Sequence, residues 1–255
     1  MAHVLDIGEQ GAGAQRALAG GMAATLCLCI LATAFGARNA AAAVPFAAAI
    51  PVAGAADAGR QANFKHEAAS PEAVSLAQWV LASNNNRSLS FMIIDKKQAK
   101  AFVFDGDGQL GGATPVLLGE AVGDDSTPGI GSRKLSTIRV DERTTPAGRF
   151  VAALDRNLSG KDVLWIDYDN AISLHRVVTS NAKERRAQRL ASATASDNRI
   201  SYGCVNVPAK FFDTVVIPAF NKTNGIVYIL PETRPLGAVF AAFGATAGKP
   251  APDRQ

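Results

Sequence analysis

The chain carries three cysteines and three histidines, and few of them fall where a folded domain is expected. Cys27 and Cys29 lie in an apolar N-terminal run, His3 precedes that run, and His66 sits in an Ala-rich stretch. The strand-rich remainder keeps one thiol, Cys204, and one imidazole, His175. A thiol is a poor nucleophile until it ionises, and an imidazole that takes its proton raises the thiolate fraction. His175 stands near the end of a predicted strand, 171–177, well before Cys204 in the chain, a separation that suits two strands brought side by side. Gly203, lacking a Cβ, lets backbone or substrate approach the sulfur. The N–H of Cys204 and of a neighbour can then face a developing oxyanion, and the amide of Asn206 can orient the loop or the imidazole. Taken singly, a lone Cys is a small buried hydrophobe and a lone His a packing residue. Together they describe a nucleophile and its base. Ser201 has no G-x-S-x-G elbow around it and is not the nucleophile. One Cys and one His are too few for a zinc site, and no metal or other cofactor is expected.

The elements that must position this pair are mostly strands. Ser70-Pro71-Glu72 opens a helix, with Ser70 as N-cap and Pro71 at the first helical position. Ala73, Leu76, Ala77, Val80 and Leu81 then share one apolar face. From Ser90 the pattern changes to short apolar runs between turns. Residues 91–95 and 100–104 flank a short polar link and predict a hairpin, with Asp105-Gly106-Asp107-Gly108 as the next turn. Further strands are predicted at 115–118, 135–140, 149–152, 163–168, 171–177 and 226–230. A single later helix is predicted after Pro208, with Phe211, Phe212, Val215, Val216 and Ala219 on its apolar face. The polar stretch 181–199, with Arg185, Arg186, Arg189 and Arg199, reads either as a solvated loop or as a lid whose arginines take carboxylates by bidentate contacts.

These residues carry a resemblance. Ser201-Tyr202-Gly203-Cys204-Val205-Asn206 is similar to the Ser-His-Gly-Cys-hydrophobic-Asn signature of L,D-transpeptidase catalytic domains. Thr145-Pro146-Ala147-Gly148-Arg149-Phe150 is similar to that family's Thr-Pro-x-Gly-x-Phe segment, and the hairpin 91–104 resembles its opening hairpin. The order of hairpin, Thr-Pro-x-Gly segment, His and Cys also agrees, over roughly residues 90–231. The resemblance implies a mostly β fold with minor helix, an L,D-transpeptidase-like sandwich or barrel. One helix would follow the Cys segment and one would pack at the N-terminus. It also implies a cysteine enzyme of the periplasm or cell wall whose partner is the peptidoglycan stem peptide. Cys204 would attack the carbonyl of the third stem residue, D-Ala would leave, and an amine would resolve the thioester. His175 would serve as general base and then acid, with Ser201, Tyr202, Gly203 and Asn206 positioning. Water as acceptor would make the same site a carboxypeptidase, and loss of activity would leave a wall-binding module. Papain-like and amidase-like enzymes place Cys before His, the reverse of the order here. The chain departs from the signature at Tyr202, where the family has His, and in the length of the stretch between His175 and Ser201.

Sequence context divides the 255 residues into a signal peptide or anchor (1–42), an Ala-rich leader without a core (43–69) and a lead-in helix (70–88). The catalytic domain (89–232) and a disordered tail (233–255) follow. Residues 17–36 are uncharged between Arg16 and Arg38, and small residues offering cleavage sites follow at Ala40–Ala43. Twenty uncharged residues also approach a membrane span, so membrane contact is expected only through that segment if it stays uncleaved. The net charge of +4 is mildly basic, but no Lys/Arg-rich block with interleaved aromatics is present, and nucleic acid is not an expected partner.

Overall fold

The two strands of the first hairpin are apolar on both faces, so a sheet containing them must be covered on both sides. In the computed structural model, which describes residues 60–243, this is how they are placed. Met92 and Ile94 of β1 (Phe91–Asp95), with Ala101 and Val103 of β2 (Lys100–Phe104), enter one core. Phe91, Ile93, Phe102 and Phe104 enter another on the opposite face. Eight strands form one sheet in the order β3-β2-β1-β10-β5-β6-β7-β9. The remaining six are β3 (Leu110–Pro115), β5 (Gly148–Arg156), β6 (Asp162–Asp167), β7 (Ile172–Arg176), β9 (Val205–Val207) and β10 (Gly225–Ile229). Within this sheet β1 with β10 and β7 with β9 run parallel, and the other neighbours are antiparallel.

The sheet curls until its ends are drawn together. After β3 the chain crosses to the far edge, where Leu117 and Asn206 exchange backbone hydrogen bonds of 2.9 Å in both directions. Two short strands, β4 (Leu118–Gly119) and β8 (Arg199–Ser201), then pair beside that junction. The enclosed core holds Leu164, Ile166, Leu174, Val205, Val207, Val227 and Ile229. It is plugged by a helical run after the Cys segment: α3 (Ala209–Phe211), a π-helical stretch (Phe212–Val216) and α4 (Ile217–Phe220). Phe212, Val216 and Phe220 recur at four-residue spacing along that run and are buried. Outside, α1 (Pro71–Ala82) lays Ala73, Leu76, Ala77, Val80 and Leu81 on Phe91, Ile93, Ile226 and Tyr228. Its start is capped as its sequence requires, with Ser70 Oγ accepting from Ala73 N at 3.1 Å.

The fold is therefore mostly β with minor helix. Several expectations need correction. The last ten residues of the Ala-rich leader do pack: Phe64 meets Phe102 and Phe104 edge-on at 5.2 and 5.0 Å, and Asn63 bridges Gln109. The apolar ring of Phe64 finds a greasy surface that residue composition alone did not reveal. The expected tail forms α5 (Leu236–Val239), buries Phe240, and brings Phe243 within 5.9 Å of Trp79. Residues 135–140 are not a strand. They form parts of two 3₁₀ turns, Leu135–Thr137 and Val140–Glu142, pinned by Arg133 Nη1 to Glu142 Oε1 at 2.8 Å and by Arg139 N to Glu142 Oε2 at 2.9 Å. One further short helix, α2 (Arg186–Leu190), lies in the Arg-rich stretch. The signal or anchor call at 1–42, the rest of the leader and the last twelve residues lie outside the described residues. Among the described residues no helix is long and apolar enough to cross a membrane.

Candidate active site

Residues directly opposite on neighbouring strands point the same way, and alternate residues of one strand share a face. The parallel pairing of β7 with β9 sets His175 beside Asn206 and Leu174 beside Val205. Leu174, Val205 and Val207 turn into the enclosed core, so Ser173, His175, Cys204 and Asn206 fall together on the outer face. Side-chain contacts follow that register. Ser173 Oγ lies 3.6 Å from Cys204 Sγ, and Sγ lies 3.6 Å from the carbonyl oxygen of Ala171. The two residues singled out by type are thus brought together, and both are half-buried rather than sealed in the interior.

The loop carrying the thiol is held by backbone chemistry. Gly203 has φ +126°, in a region that side chains rarely adopt, and a Cβ there would come within 2.7 Å of the Thr144 carbonyl oxygen. Ser201 Oγ donates to the Cys204 carbonyl at 2.6 Å and accepts from Gly203 N at 3.1 Å, so Ser201 shapes the loop. Buried Thr145, the first residue of the Thr-Pro-x-Gly segment, donates from Oγ1 to the Gly203 carbonyl at 2.8 Å. The same oxygen accepts from Gly119 N at 2.8 Å.

The imidazole is oriented by a relay. His175 Nδ1 donates to the Arg176 carbonyl at 2.8 Å, which fixes the proton on Nδ1 in the neutral ring and leaves Nε2 basic. Asn206 Nδ2 lies 3.2 Å from that Nε2. Which way the Asn206 amide points is set by Arg186, a donor without acceptor capacity, whose Nη1 meets Asn206 Oδ1 at 2.7 Å. Arg186 is itself buried and paired with Glu184. Burial pushes the Cys204 thiol pKa up. The hydrogen bond to His175, the charge of that ring and hydrogen bonds from Ser173 outweigh it, and the thiol is held below its ordinary range. Such a pair can form a thiolate–imidazolium and use it as a nucleophile and a proton donor.

The thiol opens on a small recess between this loop and a covering segment. Its walls include Ile130, Leu135 and Ile138 on one side, Asn170, Ala171 and Tyr202 on the other, and the buried, unpartnered hydroxyl of Ser126. Tyr202, which stands at the departed motif position, lies under the guanidinium of Arg143, 4.1 Å from ring centre to Cζ. Arg143 Nη1 also meets Glu120 Oε2 at 2.7 Å. Arg143, Ser173 and the covering segment carry no motif. They are recognisable only once β7 and the 126–144 segment are placed around the sulfur.

The four arginines separate. Arg199 is not open to a ligand carboxylate: its guanidinium is paired with Glu232 and donates to the Lys96 carbonyl at 3.2 Å. Arg186 acts within the relay, and its buried side chain is equally closed to substrate. Arg189 donates to the carbonyls of Glu184 and Asp197 at 3.0 and 2.9 Å. Arg185, at φ +52°, is exposed and borders a polar cleft with Gln188, Arg189, Ser192 and Asp197, a lining that does not include Cys204. The 181–199 stretch is therefore bonded partly within itself, through Arg189, and partly to neighbouring segments, through Arg199, and it reaches the imidazole through Arg186 and Asn206.

A second polar cluster was invisible in the sequence. Lys96, in the link of the first hairpin, is fully buried. Its Nζ reaches Asp124 Oδ1 and the Thr145 carbonyl at 2.8 Å each, and Glu232 at 3.4 Å. Asp124 also takes the N–H groups of Glu232, Thr233 and Arg234 at 2.8–3.0 Å.

No protein-family profile and no curated protein matches the chain. Several solved structures are similar to it. An L,D-transpeptidase from Xylanimonas cellulosilytica is 14% identical with a TM-score of 0.34, over 56% of this chain and 60% of that one. The catalytic domain of the E. faecium L,D-transpeptidase is 15% identical with a TM-score of 0.32, over 55% of this chain and 96% of that one. A fused Zn-dependent amidase/peptidase/peptidoglycan-binding domain-containing protein from Clostridium acetobutylicum is 15% identical with a TM-score of 0.32, over 63% of each chain. The chain spans about 60% of the length of the first of these.

Proposed function

We propose that the protein is an exported L,D-transpeptidase acting on peptidoglycan stem peptides, with Cys204 as nucleophile and His175 as base and acid. The observation that carries this reading is the register of β7 with β9. It places the thiol and the imidazole on one face, in the order His before Cys, within a motif similar to the family's. In the proposed reaction the Cys204 proton passes to His175 Nε2 and the sulfur attacks the carbonyl carbon of the third stem residue. The backbone N–H of Cys204 faces the oxyanion. As the tetrahedral intermediate collapses the C–N bond breaks, His175 returns the proton to the departing D-Ala nitrogen, and a thioester remains. An acceptor amine then attacks the thioester, gives its proton to His175 and releases the thiolate. Water in place of the amine yields the carboxypeptidase product by the same steps.

Tyr202 is compatible with this course. The guanidinium of Arg143 stacked on its ring puts a cation at the corner where the family's motif carries an imidazole. The apolar run at 17–36 supports export.

Incubating the protein with purified disaccharide-tetrapeptide muropeptides and reading the products by mass spectrometry tests the reading. Loss of D-Ala with formation of cross-linked dimers or tripeptides is expected from the native chain and from no Cys204→Ala sample. Product formed by Cys204→Ala would overturn it. A carbapenem adduct on Cys204 separates a working site from a wall-binding module without catalysis, since an inert thiol acquires no mass.

A further inference from the structure

The outer face of the sheet is divided. Over β1, β2 and β10 it is covered by α1. Over β5, β6 and β7 it continues sideways from the thiol. Ala153 pairs with Trp165 across β5 and β6, and Trp165 pairs with Ser173 across β6 and β7. Ser173 touches Cys204 Sγ. Trp165 therefore lies on the same face as the thiol, two strands away. Tyr168 lies tilted against it, with ring centres 4.5 Å apart and planes at 41°, and is itself 65% exposed. It is the one aromatic among the exposed large apolar side chains of the described residues. A second path leads to the same place, since the turn bearing Tyr168 runs on into Asn170 and Ala171, which wall the recess beside the sulfur. On the same outer face of β5, Val151 is 56% exposed. An exposed apolar patch continuous with a reactive centre marks a ligand surface.

We infer that Trp165 and Tyr168 form a stacking platform for a saccharide ring, the glycan end of the same molecule whose stem peptide reaches Cys204. This rests on the reading above and adds to it a requirement for sugar. Length supports the assignment. Strands lie about 4.8 Å apart, so two strand spacings separate Trp165 from the thiol by about 10 Å. Three stem residues, from the attacked carbonyl back to the sugar-linked end, span about 10 Å when extended. A ring that is apolar on its C–H faces and polar at its rim suits two aromatics that present ring area, with the exposed Tyr168 supplying the polar tip.

The chain's two tryptophans supply a matched probe. Both indole Nε1–H groups are buried without an acceptor, but Trp79 packs on Phe243, away from this patch. In NMR spectra of the full chain, titration with the peptide-free N-acetylglucosamine–N-acetylmuramic acid disaccharide should move the Trp165 indole signal and leave that of Trp79 in place. Kinetically, disaccharide-tetrapeptide should exceed free tetrapeptide in kcat/KM by about tenfold, the scale of one aromatic contact. Tyr168→Ala should remove that advantage while leaving the free peptide's value unchanged. Equal native values for the two substrates, or equal losses in the variant, would overturn the platform and leave the transpeptidase reading standing. If neither substrate is turned over, the proposed function fails and the indole signals alone decide the platform. A Trp165 signal unmoved by sugar, or one that shifts with protein concentration because copies associate through the patch, would overturn it.

Discussion

The cluster around Lys96 and the cluster around Cys204 are both polar, and they meet at Thr145. The carbonyl of that residue accepts from Lys96 and its hydroxyl donates to Gly203. Around Lys96 every charge is shielded and matched, by Asp124 and Glu232 for the ammonium and by Arg199 for Glu232. Around Cys204 the thiol and the imidazole are half-buried, the ring's Nδ1–H is held by the Arg176 carbonyl, and among the described residues no ion pair locks either group. A buried ion pair is costly to break and weak evidence for stability gained, because desolvation offsets attraction. What it secures here is position: it clamps the 123–124, 145 and 232–234 segments behind the loop that carries Cys204. The molecule keeps its matched buried charges apart from the half-buried thiol and imidazole.

The contrast can be broken from either side. Lys96→Met should cost about 3–5 kcal/mol by stranding buried carboxylates, read as a lowered denaturation midpoint, whereas Cys204→Ala should leave that midpoint unchanged. Similar midpoints for the two variants would erase the distinction. His175→Ala should cut turnover by about 10²-fold and raise the pH at which the thiol is alkylated. In the native chain that midpoint lies below the free-thiol value of about 8.5. A profile unmoved by the substitution would remove His175 as the partner. Thr145→Val should affect both clusters, costing about 1–3 kcal/mol because Gly119 N and the Gly203 carbonyl lose their partner. Alkylation should slow in parallel and Thr145→Ser should restore both, and stability loss with unchanged thiol reactivity would uncouple the clusters.

The smallest effect concerns acid. Burial pushes the Asp124 carboxyl up, but Lys96, Thr233 and the N–H groups of 232 and 233 outweigh it and hold its pKa well below the usual carboxylate range. A folded-state pKa below the unfolded one contributes stability that is present above the unfolded pKa of about 3.9. That contribution fades as pH falls further towards the folded value. Asp124→Asn should therefore narrow the gap between neutral and acid stability, and an unchanged acid limb would show that the carboxylate is not the group being titrated.

Much of the chemical pair was legible because its residue types are rare: one thiol and one imidazole remained once the N-terminal segment was set aside. The strands β1, β2, β6, β7 and β10 were legible because their apolar runs are long. β3 was not, since Gly111 and Gly112 dilute its pattern, and β8 and β9 are three residues each. Residues 135–140 carry strand-like side chains, but Glu142 closes the backbone into turns before pairing can begin. Arg199 misled because its partner, Glu232, lies on a distant segment that no local pattern announces. Lys96 was passed over for the complementary reason, a charge in a hairpin link being ordinarily wet.

The place of β10 in the sheet has a consequence for how the chain matures. The last strand of the described residues lies between β1 and β5, near the middle of the row rather than at its rim. A nascent chain that has not yet delivered residues 225–229 lacks the strand that joins β1 to β5, and β3-β2-β1 meets β5-β6-β7-β9 only through the Leu117–Asn206 junction and the β4–β8 pair. Pairing across so long a sequence separation is slow to find, so the seam between β1 and β5 closes late, after every residue around the thiol has been made.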